Sequence, residues 1–248
     1  MMTAVELKGV SKTYRRHRER PLGMTLKSYF LHDLWRGRDT QGEIKWALRD
    51  VDLRAATGST LGIIGRNGSG KSTLLKVISR ILKADAGTVT VKGKVAALIE
   101  LGAGFHPELT GRENAIINGI ILGLSKAEIK AKLDEIIDFS EVREYIDDPV
   151  RTYSSGSYMR LGFAVAVHVD PEILLVDEVL AVGDLAFKKK CMQRMNDLRK
   201  RGTTIVFVSH DLATVRSLCD EAAWLHDGAV RMSGRTAEVV DAYLKEMR

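Results

Sequence analysis

The most informative pattern in the 248-residue chain is an eight-residue run, Gly65-Arg66-Asn67-Gly68-Ser69-Gly70-Lys71-Ser72. It fits the motif G-x-x-x-x-G-K-[ST] and lies between an apolar run at 60–64 and a helix-like run at 72–81. Small residues let the backbone N–H groups surround an anion, while Lys71 reaches terminal phosphates and the hydroxyl of Ser72 ligates Mg²⁺. The plainer interpretation is a glycine-rich turn between a strand and a helix. Such a turn requires neither Lys71 nor Ser72, so the pattern favours a phosphate site.

The composition is that of a folded globular protein. Hydrophobic residues make up 45% of the chain, charged residues make up 28%, and there are only 4 prolines, which excludes a disordered chain. The longest apolar runs, 115–124 and 173–182, are too short or too charged to span a bilayer, and the first residues lack a signal-peptide pattern. Cys191 and Cys219 lack metal-ligand spacing and indicate buried or idle thiols in a reducing compartment. We therefore expect a cytosolic protein that reaches a membrane only through a partner.

The net charge of +6 is concentrated in one segment. Residues 15–38 contain seven Lys or Arg against Glu19 and Asp33, which predicts one docking surface rather than a diffuse nucleic-acid-binding surface. Within this segment, aromatic and aliphatic residues recur at helical spacing over 25–35. This amphipathic helix could lie in a headgroup layer or cap its own domain, and periodicity alone favours capping.

The remaining pattern alternates strands and helices. A half-buried strand at 5–10 is expected to end at 11–14, which leaves Tyr14 as a strand-end aromatic, and the next strand is expected at 47–53 after an insert over 15–46. Residues 111–142 have helical periodicity with a cap near Ser125, inside a helical subdomain at about 101–170. Further strands are predicted at 87–93, 95–99, 173–176 and 203–208, and a hairpin at 222–231 and a helix at 236–247 lie in the C-terminal part, about 220–248.

Three polar groups lie where elements of this pattern begin or end. Ser154, Ser155 and Gly156 open a helix that runs to about residue 169, as either a cap or a second anion site. Asp177 and Glu178 follow a continuous apolar strand, at whose carboxyl end Asp177 could hold Mg²⁺ and Glu178 could polarise a water molecule. His210 emerges at the same sheet edge, where we expect a γ-phosphate contact, although a lone histidine is usually structural.

In this order and over nearly the whole chain, these elements resemble the ATP-binding cassette (ABC) ATPases. The element Tyr153-Ser154-Ser155-Gly156-Ser157 is similar to the signature that separates this family from other P-loop proteins. The resemblance implies an α/β P-loop fold in one domain, with a mainly parallel core sheet, an antiparallel β subdomain and a helical subdomain. It also implies ATP and Mg²⁺ as cofactors.

The resemblance further assigns roles to single residues. It implies a head-to-tail homodimer in which Ser154, Ser155 and Gly156 of one copy complete the site around ATP held by the other. Tyr14 would stack on adenine, Glu178 would be the general base, and 182–184 would contact the second copy. The nucleotide-binding and catalytic residues implied in the same subunit are Tyr14, Gly65, Arg66, Asn67, Gly68, Ser69, Gly70, Lys71, Ser72, Thr73, Glu178 and His210. The implied metal ligands are Ser72, Asp177 and Glu100.

Two departures from the family pattern narrow the resemblance. The usual Leu-Ser-Gly-Gly-Gln signature is Tyr-Ser-Ser-Gly-Ser here, and the glutamine expected after the strand at 95–99 is replaced by either Glu100 or Leu101. Together with the run from Glu100 to Gly111 and the insert before Trp46, these features resemble the ATPase subunits of bacterial exporters of O-antigen, teichoic acid and capsular glycans.

This subgroup implies a set of partners and a location. The expected partners are a second copy of the chain, a polytopic permease contacted through about 101–125 and the helix at 20–38, and a lipid-linked polysaccharide, with no nucleic acid. The expected location is peripheral, on the cytoplasmic face of the inner membrane. Two alternatives remain open, an ABC exporter of a drug or lipid and a soluble ABC protein acting on nucleic acid or ribosomes.

Overall fold

The computed structural model describes residues 2–16, 43–98, 104–177 and 184–247. The predicted helix at 25–35, Glu100, Leu101, Glu178 and the segment 182–183 lie outside the described residues. No helix among the described residues is long and apolar enough to cross a membrane.

The described residues form two sheets, which are the framework of the fold. The smaller is antiparallel with strand order β2-β1-β4, in which the strands are β1 (Thr3–Arg16), β2 (Glu43–Ala56) and β4 (Ala86–Val91). The larger has the order β5-β6-β7-β3-β8-β9 and is parallel except for its last pair. Its strands are β3 (Thr60–Ile64), β5 (Val95–Leu98), β6 (Ile173–Val176), β7 (Thr204–Val208), β8 (Glu221–His226) and β9 (Ala229–Arg235).

The helices lie on both faces of the larger sheet and in a separate helical region. Their bounds are α1 (Lys71–Ile78), α2 (Gly111–Ile121), α3 (Lys126–Ser140), α4 (Ser155–His168), α5 (Leu185–Lys200), α6 (Leu212–Leu218) and α7 (Thr236–Glu246). Two 3₁₀ turns, Arg143–Tyr145 and Val150–Thr152, join α3 to α4.

The central strands bury both of their faces, as their continuous apolar sequences predict. Because successive side chains in a strand point to opposite faces, Leu174 and Val176 join a core shared with the helices, while Ile173 and Leu175 join a core shared with α1 and the antiparallel sheet. The prediction of a mainly parallel sheet with an antiparallel subdomain is therefore confirmed.

The first strand is longer than its sequence pattern predicts. The expected end at 11–14 is wrong, because β1 continues to Arg16 and pairs with a β2 that begins at Glu43 rather than Ala47. The polar residues Lys12 and Thr13 resemble the end of a strand in the sequence, but both form hydrogen bonds with the Asp85 carboxylate. The Lys12 ammonium and the Thr13 amide each lie 2.7 Å from it. Of the insert predicted over 15–46, the two ends are strand and residues 17–42 lie outside the described residues.

Helix boundaries follow local capping. The helix predicted over 72–81 ends at Ile78, because Ser79 is the C-cap and Arg80 has a left-handed φ of 62°. The run at 111–142 is helical, as predicted, and contains the two helices α2 and α3. Ser125 caps the second of them through a reciprocal capping box with Glu128, which confirms the predicted cap.

Both cysteine thiols are buried, and burial raises the pKa of Cys191 and of Cys219 to about 12. They are therefore protonated and unreactive at neutral pH.

Candidate functional site

The phosphate loop connects β3 to α1 with three glycines at positive φ. Gly70 is the N-cap of α1 with φ 105°, and no side chain caps the helix or places an acidic group in its first turn. The first N–H groups of α1 therefore remain available to an anion, at the end of the helix where the macrodipole favours negative charge. This is the geometry that the sequence predicted for residues 65–72.

The loop is held between β2 and the hairpin formed by β8 and β9. The Gly228 N–H in the hairpin turn donates to the Ser69 carbonyl at 3.0 Å. A Cβ atom at Gly65 would lie 2.2 Å from the Leu225 carbonyl oxygen, and one at Gly70 would lie 2.3 Å from the Ala47 carbonyl oxygen. Glycine is therefore required at both positions by backbone groups of other strands, not only by the turn itself.

Lys71 lies at the centre of the loop. Its side chain is 6% exposed, and its ammonium donates to the carbonyl oxygens of Gly65 at 2.9 Å and Arg66 at 3.1 Å. These contacts hold the ammonium against the loop at which an incoming phosphate would bind. A terminal phosphate on the loop would therefore meet both the helix N–H groups and this ammonium.

A cleft of about 460 Å³ opens beside the loop. This volume lies within the usual range for small-molecule sites. Its lining includes the two cations Lys45 and Lys71, and no Asp or Glu contributes to it among the described residues. The full set of lining residues is Tyr14, Lys45, Trp46, Ala47, Asn67, Gly68, Gly70, Lys71, Ser72 and Thr73.

Two aromatic residues contribute to the lining of this cleft. Tyr14 is 43% exposed and Trp46 is 50% exposed, and the pairing of β1 with β2 places Thr13 opposite Trp46 and Tyr14 opposite Lys45. Trp46 was missed in the sequence because its strand was expected to begin one residue later. Recognising the longer β1–β2 pair would have placed both rings at the same end of the ribbon.

The other polar residues predicted at this sheet edge follow neighbouring strands. Asp177 follows β6 and is half-buried, and the exposed His210 follows β7, which lies between β6 and β3 in the sheet. Carboxyl ends of adjacent parallel strands meet at one edge, so these residues share an edge with the phosphate loop. No cluster of three or more His, Cys, Asp or Glu side chains that could hold a metal ion occurs in the described parts of the chain.

The signature segment is separate from the cleft. Ser154 is the N-cap of α4 and accepts a hydrogen bond from the Ser157 N–H at 3.0 Å, so its predicted role as a cap is confirmed. Ser154 and Ser155 are exposed, and a Cβ at Gly156 would contact only the Ser154 hydroxyl within 4 Å. None of these three residues is among the described residues that line the cleft.

One ion-pair network joins the signature helix to the start of α5. Arg160 on α4 bonds Glu141 at 2.7 Å and Asp184 at 3.1 Å, and its guanidinium lies 4.8 Å from the centre of the Phe187 ring. Asp184 is also the N-cap of α5 and accepts from the Phe187 N–H at 2.9 Å. The hydrogen bond from the Phe187 N–H, together with the charge of Arg160, lowers the pKa of the Asp184 carboxyl.

Residues 48–181 match the family model described as ABC transporter. The chain belongs to the ABC transporter family. The whole chain is also similar in fold to a solved dimeric ATP-binding cassette, which is in a post-hydrolysis state bound to ADP and Pi. The two structures superpose with a TM-score of 0.74 at 25% identity, covering 94% of this chain and 98% of that one. The predicted family and fold are confirmed.

Named relatives in this ABC family include export subunits. The chain is 52% identical over 243 residues to the O-antigen export system ATP-binding protein RfbB of Myxococcus xanthus, covering 98% of this chain and 56% of that protein. It is 41% identical over 247 residues to the RfbB protein of Klebsiella pneumoniae, covering 100% of both. It is also 45% identical over 206 residues to the teichoic acids export ATP-binding protein TagH of Bacillus anthracis, covering 83% of this chain and 37% of that protein. The chain therefore spans about half of the Myxococcus relative and the full length of the Klebsiella relative.

Proposed function

We propose that two copies of this chain bind and hydrolyse ATP to drive export of a lipid-linked polysaccharide through a separate membrane permease. The observation that carries the proposal is the 41% identity over the whole length of an O-antigen export ATP-binding protein. The cationic cleft beside an uncapped helix N-terminus supports the nucleotide part of the proposal. In this proposal the chain is one cassette domain located at the cytoplasmic face of the inner membrane.

The phosphate loop, together with Asp177 at the same edge of the sheet, suits a nucleoside triphosphate with Mg²⁺. The hydroxyl of Ser72 and the carboxylate of Asp177 are the hard oxygen donors that Mg²⁺ prefers, and Glu100 is the third proposed ligand. When bound, the metal neutralises charge on the phosphates during transfer of the γ-phosphoryl group to water.

Each protein group then has a proposed task in hydrolysis. The loop from Gly65 to Thr73 holds the phosphates, Lys71 offsets their charge, and His210 contacts the γ-phosphate. Glu178 accepts the proton of the attacking water. Ser154, Ser155 and Gly156 of the second copy close over the γ-phosphate, so ATP joins the two copies and hydrolysis separates them.

Adenine stacking should depend on both aromatic residues of the cleft. We expect Tyr14→Ala and Trp46→Ala each to weaken ATP binding about five- to tenfold, since stacking of a base on an aromatic ring contributes roughly 1–3 kcal/mol. Calorimetric titration checks this prediction, with inorganic triphosphate as the control ligand because it lacks the base. Equal losses for ATP and triphosphate would show that the rings shape the loop and do not contact adenine.

An exposed apolar row on α2 supports the proposed permease contact within about 101–125. Ile117, Ile120 and Ile121 are 39%, 44% and 66% exposed, and Ile120 and Ile121 follow Ile117 by three and four positions, on the same side of the helix. Clustered exposed aliphatic side chains of this kind mark protein–protein contact sites. The proposal places the permease on this face.

Replacing this row tests the contact. We expect Ile117→Ser/Ile121→Ser to retain the ATPase activity of the isolated subunit but to lose co-purification with the permease and polysaccharide export. The control is Leu244→Ser, which removes an apolar side chain of 42% exposure from α7. If the α2 variant exports like the parent, the permease docks elsewhere.

The export function itself is tested in cells that lack this chain. We expect surface polysaccharide to be lost, lipid-linked polysaccharide to accumulate inside, and the parent chain but not Lys71→Met to restore export. Normal surface polysaccharide with lost efflux of a drug or lipid would favour an exporter of another cargo. Co-purification with RNA in place of a polytopic protein would favour the nucleic-acid alternative.

A further inference from the structure

Three residues of the signature differ from the family pattern, and two of them, Tyr153 and Ser157, contact one tyrosine outside the signature. Tyr153 stands where the family has leucine, and its hydroxyl donates to the Tyr145 carbonyl at 2.8 Å. Ser157 stands where the family has glutamine, and its hydroxyl lies 2.9 Å from the Tyr145 hydroxyl. Both replacements therefore converge on Tyr145.

Tyr145 is held firmly in place. It ends the 3₁₀ turn Arg143–Tyr145, is half-buried against the helical core, and its ring meets the ring of Tyr153 edge to face at 5.0 Å. The Tyr153 hydroxyl in turn fills the space beside Gly111, where a Cβ atom would lie 2.2 Å from it. Packing of both rings thus fixes where the Tyr145 hydroxyl lies.

The contacts form a chain of three hydroxyls that ends at the signature serine. Tyr145 Oη lies 2.9 Å from Ser157 Oγ, and Ser157 Oγ lies 2.9 Å from Ser154 Oγ. Ser154 Oγ also accepts the Ser157 N–H at 3.0 Å. Ser154 is exposed, so the outer end of the chain faces solvent.

In both hydroxyl–hydroxyl contacts the distance alone allows either oxygen to be the donor. A phenol is more acidic than a serine alcohol and is the better donor, so we assign Tyr145 as the donor to Ser157. The single Ser157 proton then goes to Ser154 Oγ, which accepts two hydrogen bonds and has only its own proton left to offer. That proton points outward as a donor, and an anionic oxygen is its strongest acceptor.

We propose that Tyr145 is a positioning residue that, through Ser157, turns the Ser154 hydroxyl into an outward donor for the γ-phosphate of ATP held by the second copy. The inference rests on the proposed function, since it requires Ser154 to act across a dimer. In the reverse direction, the lone pairs of Ser154 would face the phosphate and repel it.

The test measures ATP-driven dimerisation of the full chain in a Glu178→Gln background, which prevents turnover. Sedimentation at saturating MgATP gives the dimer dissociation constant, and titration of dilute monomer gives ATP affinity in the same subunit. We expect Tyr145→Phe and Ser157→Ala each to weaken dimerisation about a hundredfold, because the dimer makes this contact at both of its ATP sites and one hydrogen bond to a charged group contributes at least about tenfold. ATP binding to the monomer should stay unchanged, because the relay acts on the other copy's nucleotide.

Two comparisons separate a relay from a loss of structure. The double variant Tyr145→Phe/Ser157→Ala should dimerise no worse than Ser157→Ala alone. Substitutions within one chain of contacts break the same chain, so their effects on the dimerisation free energy do not add. The control Thr152→Val removes a neighbouring hydroxyl that donates to the Pro149 carbonyl at 2.7 Å and should leave dimerisation unchanged. Thermal melting is measured for each variant. If Tyr145→Phe does not fold, the effect of Ser157→Ala on dimerisation tests the relay.

The outcomes distinguish the relay from the function on which it rests. If Ser154→Ala weakens dimerisation while Tyr145→Phe and Ser157→Ala do not, the relay is wrong and the proposed function stands. Additive losses in the double variant would also overturn the relay. If the Glu178→Gln parent forms no ATP-dependent dimer, the proposed function fails and the relay fails with it.

Discussion

Replacing Gly70 with alanine is expected to abolish ATP binding and to destabilise the fold. Gly68→Ala should have a smaller effect on both ATP binding and stability. Both glycines have positive φ, 105° at Gly70 and 81° at Gly68, so alanine is conformationally strained at both. Their surroundings differ. A Cβ at Gly70 would lie 2.3 Å from the Ala47 carbonyl oxygen, while one at Gly68 meets nothing within 4 Å.

A small shift of neighbouring atoms cannot relieve the contact at Gly70. Ala47 belongs to β2, and the Leu48 and Leu225 side chains lie 3.2 Å and 3.4 Å from the same position, so the loop itself must move away. We expect the free energy of unfolding to fall by about 3 kcal/mol or more, as strain and overpacking combine. A displacement of about 1 Å at the phosphates would lower turnover on the order of a hundredfold.

Chemical denaturation and ATP titration measure both effects. Gly68→Ala is the matched control, because it carries the φ strain without the collision and should lose about 1 kcal/mol. Equal effects of the two variants would show that the loop tolerates a side chain against β2, and the described packing of the loop would be wrong.

The second large effect is expected from Glu178→Gln. This variant should bind ATP, lose turnover by about 10²- to 10⁴-fold, and accumulate as an ATP-bound dimer, because the amide is nearly isosteric but cannot accept the proton of the attacking water. Phosphate release measures turnover, and sedimentation with MgATP detects the dimer.

Lys71→Met provides the contrasting control for this experiment. It removes the buried ammonium that lies on the loop carbonyls and should lose ATP binding itself, so no dimer should form. A Glu178→Gln variant that hydrolyses ATP like the parent would contradict the assignment of Glu178 as the base. A Lys71→Met variant that dimerises with ATP would contradict the assignment of Lys71.

Much of the fold was predictable because its signals are local. The strand Ile173–Val176 is buried on both faces because every residue in it is apolar, and the helix after Ser125 begins where its capping box predicts. The phosphate loop was predictable for the same reason, since eight consecutive residues carry both its turn chemistry and its cation.

The errors occurred where distant residues decide a local outcome. The end of β1 was placed too early because Lys12 and Thr13 look like a polar strand end, yet both are bonded to Asp85, more than seventy positions away. Because of the same error, Trp46 was not predicted to line the cleft. Trp46 and Tyr14 lie at the same end of the ribbon only when β1 and β2 pair along their full length.

The amino-acid sequence by itself determined the family, the phosphate loop and the order of the elements, because each rests on residues a few positions apart with a chemistry of their own. Only the tertiary structure decided three other features: the hydrogen bond from the turn at Gly228 to the loop, the presence of both Tyr14 and Trp46 in the lining of the cleft, and the hydroxyl chain from Tyr145 to Ser154. These depend on close contacts between separate elements. Such contacts are set by how side chains fill the core, which a local pattern does not encode.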